Sequence, residues 1–332
     1  MKRPSKALSS AVAPAITSYL ALKRALGRRF THEAATLAHL DRFLAAQRPA
    51  ARAITPANFA TWSLTLAHLT PTVRRNRMRI VRNLCLYVRR LAPGCFVPDS
   101  SGFPKPHEPR RPHIFTELQI VTLLRLATDL RPASTSPLHA EVYRVAIVLL
   151  YTAGLRRGEL VRLVVSDYDA EARTLLVRAS KFHKSRIVAL SKDGADEMTR
   201  FLRARLRLPH DPGSPLLVSN AGGSRGYWGA SLGVGLTGLF RRADIRTLRG
   251  RLPRVHDLRH TYAVHALLRW YRDGADVQAK LPVLATAMGH VSIASTAYYL
   301  PFLQPIAEAA SARFARHCQA AIAAPLGATG GR

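Results

Sequence analysis

Apolar side chains recur at helical spacing through the N-terminal part of the chain: Ile16, Tyr19, Leu22 and Leu26, then Leu37, Leu40 and Leu44, then Phe59, Trp62, Leu66 and Leu69. Residues three and four apart share one face of a helix, so each set predicts an amphipathic helix with one stripe to bury. A fourth helix follows, with Val73, Ile80, Leu84, Val88 and Leu91 as its buried stripe and Arg75, Arg79 and Arg82 along another side. Two of the four open with Thr-Pro, at Thr55-Pro56 and Thr70-Pro71. There a threonine hydroxyl can cap the free N–H groups, and proline is pre-set for the first turn. The pattern predicts a small four-helix bundle.

The periodicity stops between Pro98 and Pro112, where PDSSGFPKPHEPRRP carries five prolines and one glycine. Such a run sustains neither a helix nor a central strand, and reads as an extended, semi-rigid linker. Beyond it, Thr116 with Gln119 forms a capping-box pattern opening a helix to about Leu126, and a second helix runs from about Leu138 to Ala153, ending at Gly154. Thr174 to Val177 and Arg186 to Leu190 have strand composition and are joined by a polar turn around Lys181 to Lys184, which predicts a hairpin. The remainder is mainly helical, with breaks at Pro209 to Pro215 and Gly222-Gly223. The expected fold is mainly α with a small antiparallel β-sheet. Its parts are an N-terminal helical domain (1–97), a linker (98–112), an α+β domain (113–302) and an apolar, alanine-rich tail (303–332).

Charge narrows the function. Fifty Lys and Arg against 20 Asp and Glu leave a formal charge of +30, more than solubility requires, which points to a polyanionic partner. Arginine outnumbers lysine, and its planar fork suits phosphate oxygens, so nucleic acid is favoured; the arginine row 75/79/82 fits contact with a DNA backbone. No apolar run is long enough for a membrane span, and Met1 to Lys6 leads into a polar helix rather than a signal-peptide core, so a cytoplasmic location is expected. Cys85, Cys95 and Cys318 have neither the number nor the spacing for a disulfide framework or a zinc site.

Four separated segments of the second domain hold the candidate chemistry: AGLRRGEL with Arg156 and Glu159, SKFHKSR with Lys181, HDLRH with His256 and Arg259, and GHVSIASTAYY with His290 and Tyr299. Phosphodiester transfer without a metal needs cations on the non-bridging oxygens, a nucleophile that leaves a recoverable ester, and groups that move protons. Arg156 follows a helix-ending glycine and can project into a cleft. Arg259 lies three residues after His256, so both can meet one phosphate, and His256 can accept a phenolic proton near neutral pH. Lys181, at the tip of the hairpin, can protonate a departing 5′ oxygen. His290, after Gly289, can hydrogen-bond the phosphate, and Glu159 can orient a neighbouring cationic or histidine side chain. Each motif alone is compatible with an ordinary surface or core residue; together, in this order, they form a reaction centre.

This set resembles the tyrosine recombinase (phage integrase) family over residues 113–302, with the order arginine, lysine, His-x-x-Arg, histidine, tyrosine. The resemblance implies a site-specific DNA recombinase with a 3′-phosphotyrosyl intermediate. It implies Arg156, Lys181, His256, Arg259, His290 and Tyr299 as catalytic residues, and neither metal nor other cofactor. The family's nine-residue gap after His290 selects Tyr299 over Tyr298, which is then expected to pack inward. Where the family often has glycine before the lysine, Ser180 stands here, and Lys184 remains a second candidate. The N-terminal helices resemble the family's core-binding, SAM-like domain, and LKRALGRRFTHEAATLAHLDRFL resembles recombinases of transposable elements. Double-stranded DNA is the implied partner, bound by a homotetramer or a mixed assembly with other recombinases, with the two domains clamping the duplex. The stretch from Leu303 to Ala324 would dock on a neighbouring protomer or on its own domain. A type IB topoisomerase-like enzyme and a non-catalytic DNA-binding accessory protein are the alternative readings.

Overall fold

In the computed structural model, which describes residues 7–28, 30–47, 51–106, 110–132, 136–178, 185–290, 292, 294–299, 314, 315 and 319, the chain divides into two units, 1–110 and 111–332. The expected hairpin turn with Lys181 and Lys184 lies outside the described residues, as does nearly all of the tail after residue 302.

The first unit contains α1 (Ala13–Ala25), α2 (Thr31–Ala45), α3 (Pro56–Leu64) and α4 (Pro71–Val88). Ile16, Leu37, Leu40, Leu44, Trp62, Leu66 and Leu84 are sealed in its core. The Thr55 hydroxyl accepts from the Asn58 amide, as expected of a cap, whereas Thr70 occupies the N-cap position without such a bond. The outer ends of two expected stripes face solvent: Leu22, Leu26, Val73 and Leu91 are exposed. On α4 the buried face is Met78, Val81, Leu84 and Cys85, rotated by roughly a quarter turn from the expected one at 100° per residue. The rotation follows from packing, since α4 lies against both α1 and α2. Two of the three arginines in the row turn to the proline-rich segment: Arg75 donates to the Pro104 carbonyl at 3.2 Å and Arg82 to the Pro98 carbonyl at 2.9 Å. Phe103 is buried among Phe59 and its neighbours. Residues 98–104 therefore pack on this unit rather than standing away from it as a strap.

In the second unit, α5 (Glu117–Thr128) begins with the Thr116–Gln119 capping box, and α6 (His139–Thr152) follows. Helix α6 is apolar nearly all round, the signature of a helix enclosed by others. Val142, Val145, Ala146, Ile147, Leu149 and Leu150 are buried in the main core. After the short α7 (Arg157–Leu160) come the strands β1 (Tyr168–Asp169), β2 (Thr174–Val177) and β3 (Arg186–Ala189). They form an antiparallel sheet of order β1-β2-β3, with Leu175 opposite Val188 and Val177 opposite Arg186. Leu175, Val177 and Val188 point into the core. The remaining helices are α8 (Lys192–Arg205), α9 (Gly229–Arg242), α10 (His256–Arg272), α11 (Val277–Met288) and α12 (Ala294–Ala297). The architecture is mainly α with a small antiparallel sheet, as the sequence predicts; the two-residue β1 escapes the alternation rule because it is too short to show it. A smaller apolar cluster joins Ala263, Val264 and Leu267 of α10 to Leu281, Leu284 and Met288 of α11, and takes in Tyr299.

Candidate active site

Gly154 ends α6 with φ +59°, and a Cβ there would lie 2.3 Å from the Tyr262 ring. Only glycine meets both demands, and the reversal it permits places Arg156 just ahead of α7. Glu159, buried on α7, accepts the Arg156 amide at 2.9 Å and the Arg156 guanidinium at 2.7 Å. Arg156 also donates to the Gly289 carbonyl at 2.9 Å. A second cation meets the same carboxylate: Arg186, at the start of β3, donates from Nη1 at 3.1 Å and from Nη2 at 2.9 Å. Its Nε donates to the Ala287 carbonyl at 2.8 Å. Burial alone would push the Glu159 carboxyl up, but the hydrogen bonds from Arg186 and the Arg156 amide, with the charge of Arg186, hold it down at about 2. Glu159 is therefore ionised and orients two guanidinium groups.

Arg259, on the first turn of α10, is 1% exposed. It donates to the Gly154 and Met288 carbonyls, each at 2.5 Å, and lies 4.0 Å from Glu159. Burial, and then the positive charge of Arg156, pull it down to about 10, so it is still a cation at neutral pH. His256 is the first residue of α10, at the end where free N–H groups favour an anion. Surrounding protein atoms, then Arg259 and Arg254, push its ring below the ordinary histidine range; the ring is open to solvent, which screens part of that push. One turn further, His260 packs edge-on to His256 with ring centres 4.7 Å apart. Burial and the neighbouring His256 push His260 down to about 4, leaving it neutral.

Gly289 caps α11 in the left-handed conformation, φ +65°, and the His290 amide closes back on Ala285 at 2.8 Å, which fixes where the His290 ring begins. His290 Nδ1 lies 2.8 Å from the Thr296 hydroxyl, and its ring stacks on Tyr299 with centres 6.2 Å apart. Burial and the charges of Arg259 and Arg156 lower His290 to about 4. Tyr299 is 2% exposed and Tyr298 is 38% exposed. This reverses the expected packing of the pair: it is Tyr299 that turns inward, because the apolar α10–α11 cluster takes its ring while His260 meets its hydroxyl, Nδ1 to Oη 3.2 Å. Burial raises the Tyr299 phenol, against which Arg259 and Arg156 pull down.

The structure thus gathers Arg156, Glu159, His256, Arg259, His290 and Tyr299, all six within three residues of a helix end. Three guanidinium groups against one carboxylate leave an excess of two positive charges at the site. Each guanidinium has five donor hydrogens, so the carbonyls and Glu159 leave donors to spare on Arg156 and Arg259. The arrangement can hold a phosphodiester beside a tyrosine hydroxyl. Two residues absent from the sequence-based set belong to it, Arg186 and His260. His260 was legible as the last letter of HDLRH, four residues after His256 and hence on the same helical face. Arg186 carries no local signal, because its partners are 27 and 101 residues away. Arg75, Arg79 and Arg82 lie in the other unit.

A helical domain with a small sheet and a site of this composition defines the class, and the comparisons with known proteins agree. Residues 113–302 match the phage integrase family model. The chain belongs to that family, the tyrosine recombinases. It is 31% identical over 287 residues to the putative integrase/recombinase y4rE of Sinorhizobium fredii, spanning 86% of this chain and 90% of that protein. It is 30% identical over 240 residues to the tyrosine recombinase XerD of Brucella abortus, spanning 70% of this chain and 73% of that one. Among solved structures, the Tn1549 transposon integrase with a circular intermediate DNA matches with a TM-score of 0.62 at 19% identity, over 86% of this chain and 94% of that chain. The XerH recombinase bound to a palindromic difH substrate matches at 0.61 and 17% identity, over 84% and 78%. These two show a shared fold.

Proposed function

We propose that this protein is a site-specific DNA recombinase that cuts and rejoins strands through a 3′-phosphotyrosyl intermediate on Tyr299. The observation that carries the reading is the setting of Tyr299: its hydroxyl rests on a neutral imidazole while two guanidinium groups act on it electrostatically. Arg156 and Arg259 hold the non-bridging oxygens of the scissile phosphate, and fixed donors of this kind stabilise the charge that develops as the phosphorus becomes five-coordinate. His256 and His290 donate further hydrogen bonds to that phosphate. Glu159 and Arg186 hold Arg156 in place. Lys181, with Lys184 as the other candidate, protonates the 5′ oxygen as it leaves.

The net charge of +30 supports double-stranded DNA as the partner, as do the DNA complexes in which the Tn1549 integrase and XerH were solved. The likeness to the Tn1549 integrase, a transposon protein, supports a mobile element as the biological setting. Strand exchange between two duplexes calls for four active sites, hence a tetramer of this chain or one shared with related recombinases. In this reading both the helical unit and the second unit contact the duplex.

The test is Tyr299→Phe on a nicked suicide substrate, which traps the covalent complex. That variant should bind DNA normally and form no protein–DNA adduct. Adduct formation by Tyr299→Phe at the wild-type level refutes the assignment, and loss of adduct in Tyr298→Phe alone moves it by one residue.

A further inference from the structure

On the reading that Tyr299 is the nucleophile, we propose that His260, the residue directly after the phosphate-binding Arg259, is the base that takes the Tyr299 proton. His256 is the residue whose position in His-x-x-Arg first suggests that role. In the structure, however, the imidazole on the hydroxyl is that of His260, with Nδ1 3.2 Å from Oη and the two ring centres 5.4 Å apart. A base must be within hydrogen-bond reach of the proton it removes, so geometry comes before ring chemistry.

The placement follows from the helix. Positions 256, 259 and 260 share one face of α10, the face turned toward the α11–α12 connection. His256 stands at the open end of that face, where an incoming phosphate arrives. Arg259 reaches the Gly154 and Met288 carbonyls on either side. His260 stands one turn deeper, where the Tyr299 ring is buried. With its proton on Nε2, His260 presents the Nδ1 lone pair to the phenol, and its depressed basicity keeps that lone pair available at neutral pH. His256 packs in a T-shaped arrangement on the same ring. The Tyr299 ring also stacks on His290, itself within hydrogen-bond distance of Thr296. Among the described residues His260 is the hydrogen-bond partner of the phenol, and it can also carry a proton.

The step balances. As Oη bonds to the scissile phosphorus, its proton passes to Nδ1 of His260. The phosphorus–O5′ bond breaks, and the 5′ oxygen takes a proton from the lysine acid. On rejoining, a 5′ hydroxyl of the partner strand attacks the phosphotyrosine, giving its proton to the lysine, and His260 returns its proton to Oη. The imidazolium formed in between is disfavoured by burial, by His256 and by the charges of Arg254 and Arg259, and favoured by Asp257; the anionic phosphate bound beside it offsets the cost. The same charge that favours the intermediate thus drives the proton back in the second step.

The experiment measures single-turnover adduct formation on the suicide substrate by His260→Ala, His260→Asn and His256→Ala, each with and without added imidazole. Binding of an uncut duplex is measured beside it to show that each variant is folded. Peptide mapping of the wild-type adduct reports separately whether Tyr299 carries the DNA, so failure of the nucleophile assignment is seen on its own. With Tyr299 mapped, His260→Ala should lose about 10²–10⁴ in rate, the usual span for a missing general base. Asparagine keeps a hydrogen-bond acceptor but cannot take the proton, so His260→Asn should be equally slow. Imidazole should restore a part of the rate to His260→Ala. Wild-type cleavage by His260→Asn means that the ring only positions the phenol, and overturns the proposal. Rescue by imidazole of His256→Ala but not of His260→Ala overturns it as well, giving the role to His256.

Discussion

Arg186 and Glu159 meet through two parallel hydrogen bonds, Nη1 to Oε1 at 3.1 Å and Nη2 to Oε2 at 2.9 Å, across 27 residues of chain. This fork ties the strand leaving the lysine hairpin to the turn that carries Arg156, and the same carboxylate holds Arg156 itself. Both side chains are nearly sealed from solvent. Removing Arg186 leaves Glu159 with Arg156 as its remaining close counter-charge, so the loss should be smaller than the cost of about 3–5 kcal/mol for a buried charge left with no partner. Arg186→Ala should accordingly lower the urea midpoint and slow cleavage, although Arg186 does not touch the phosphate. Arg186→Lys should recover little, since an ammonium cannot reproduce the fork. An Arg186→Ala variant with unchanged stability would falsify this account of the pair.

Gly154 is required on two counts, a left-handed backbone and the Tyr262 ring 2.3 Å from where a Cβ would stand. Adopting that backbone costs an alanine about 1–2 kcal/mol, and the clash adds to it. Gly154→Ala should destabilise the second unit and displace Arg156 and the carbonyl that receives Arg259. The pairing Gly154→Ala with Tyr262→Ala removes the clash but not the strain, so it should recover part of the stability lost. If the double variant is no more stable than Gly154→Ala, the ring is not what excludes the methyl group.

Stability should fall with acid in two stages. His260 and His290 are lowered in the folded state to about 4 from an ordinary value near 6.5, so the unfolded chain binds their protons first. Their neutral burial is fully tolerated above pH 6.5, and protons favour unfolding progressively between pH 6.5 and 4. Glu159 is lowered to about 2 from 4.5, so its contribution is present above 4.5 and lost as pH falls toward 2. Denaturation curves at half-unit pH steps should show both stages. In His260→Ala the slope between pH 6.5 and 4 should be shallower; an identical slope would exclude His260 from that stage.

The arginine row on α4 should separate into two behaviours. Arg75 and Arg82 hold the Pro104 and Pro98 carbonyls, while Arg79 is exposed. Alanine at 75 or 82 should loosen residues 98–104, read as faster amide exchange around the buried Phe103. Alanine at 79 should leave folding unchanged and, if it meets a phosphate, reduce the salt slope of log K for DNA by about 0.9. A full slope in Arg79→Ala removes that residue from the interface.

Local pattern determined much of this protein. Glycine and proline punctuation, capping pairs and the 3.6-residue period suffice to place the first six helices, because each depends on residues within one or two turns. The candidate site was legible for the same reason: Arg156, His256, Arg259, His290 and Tyr299 each stand beside a local signal, a helix-ending glycine or a short fixed spacing. Tertiary structure decided which face of each helix is buried. On α4 two overlapping stripes share Leu84, and only the partners α1 and α2 choose between them. It also decided the direction of the Tyr298–Tyr299 pair, since adjacent residues after a helical turn point apart and the apolar cluster of α10 and α11 accepts only one ring. Arg186 and the contact of His260 with Tyr299 arise from chain segments 27 to 101 residues apart, closed together by the core. No periodicity along the chain encodes such a meeting, because it is burial of α6, α10 and α11, and not any neighbour in sequence, that brings those side chains within reach.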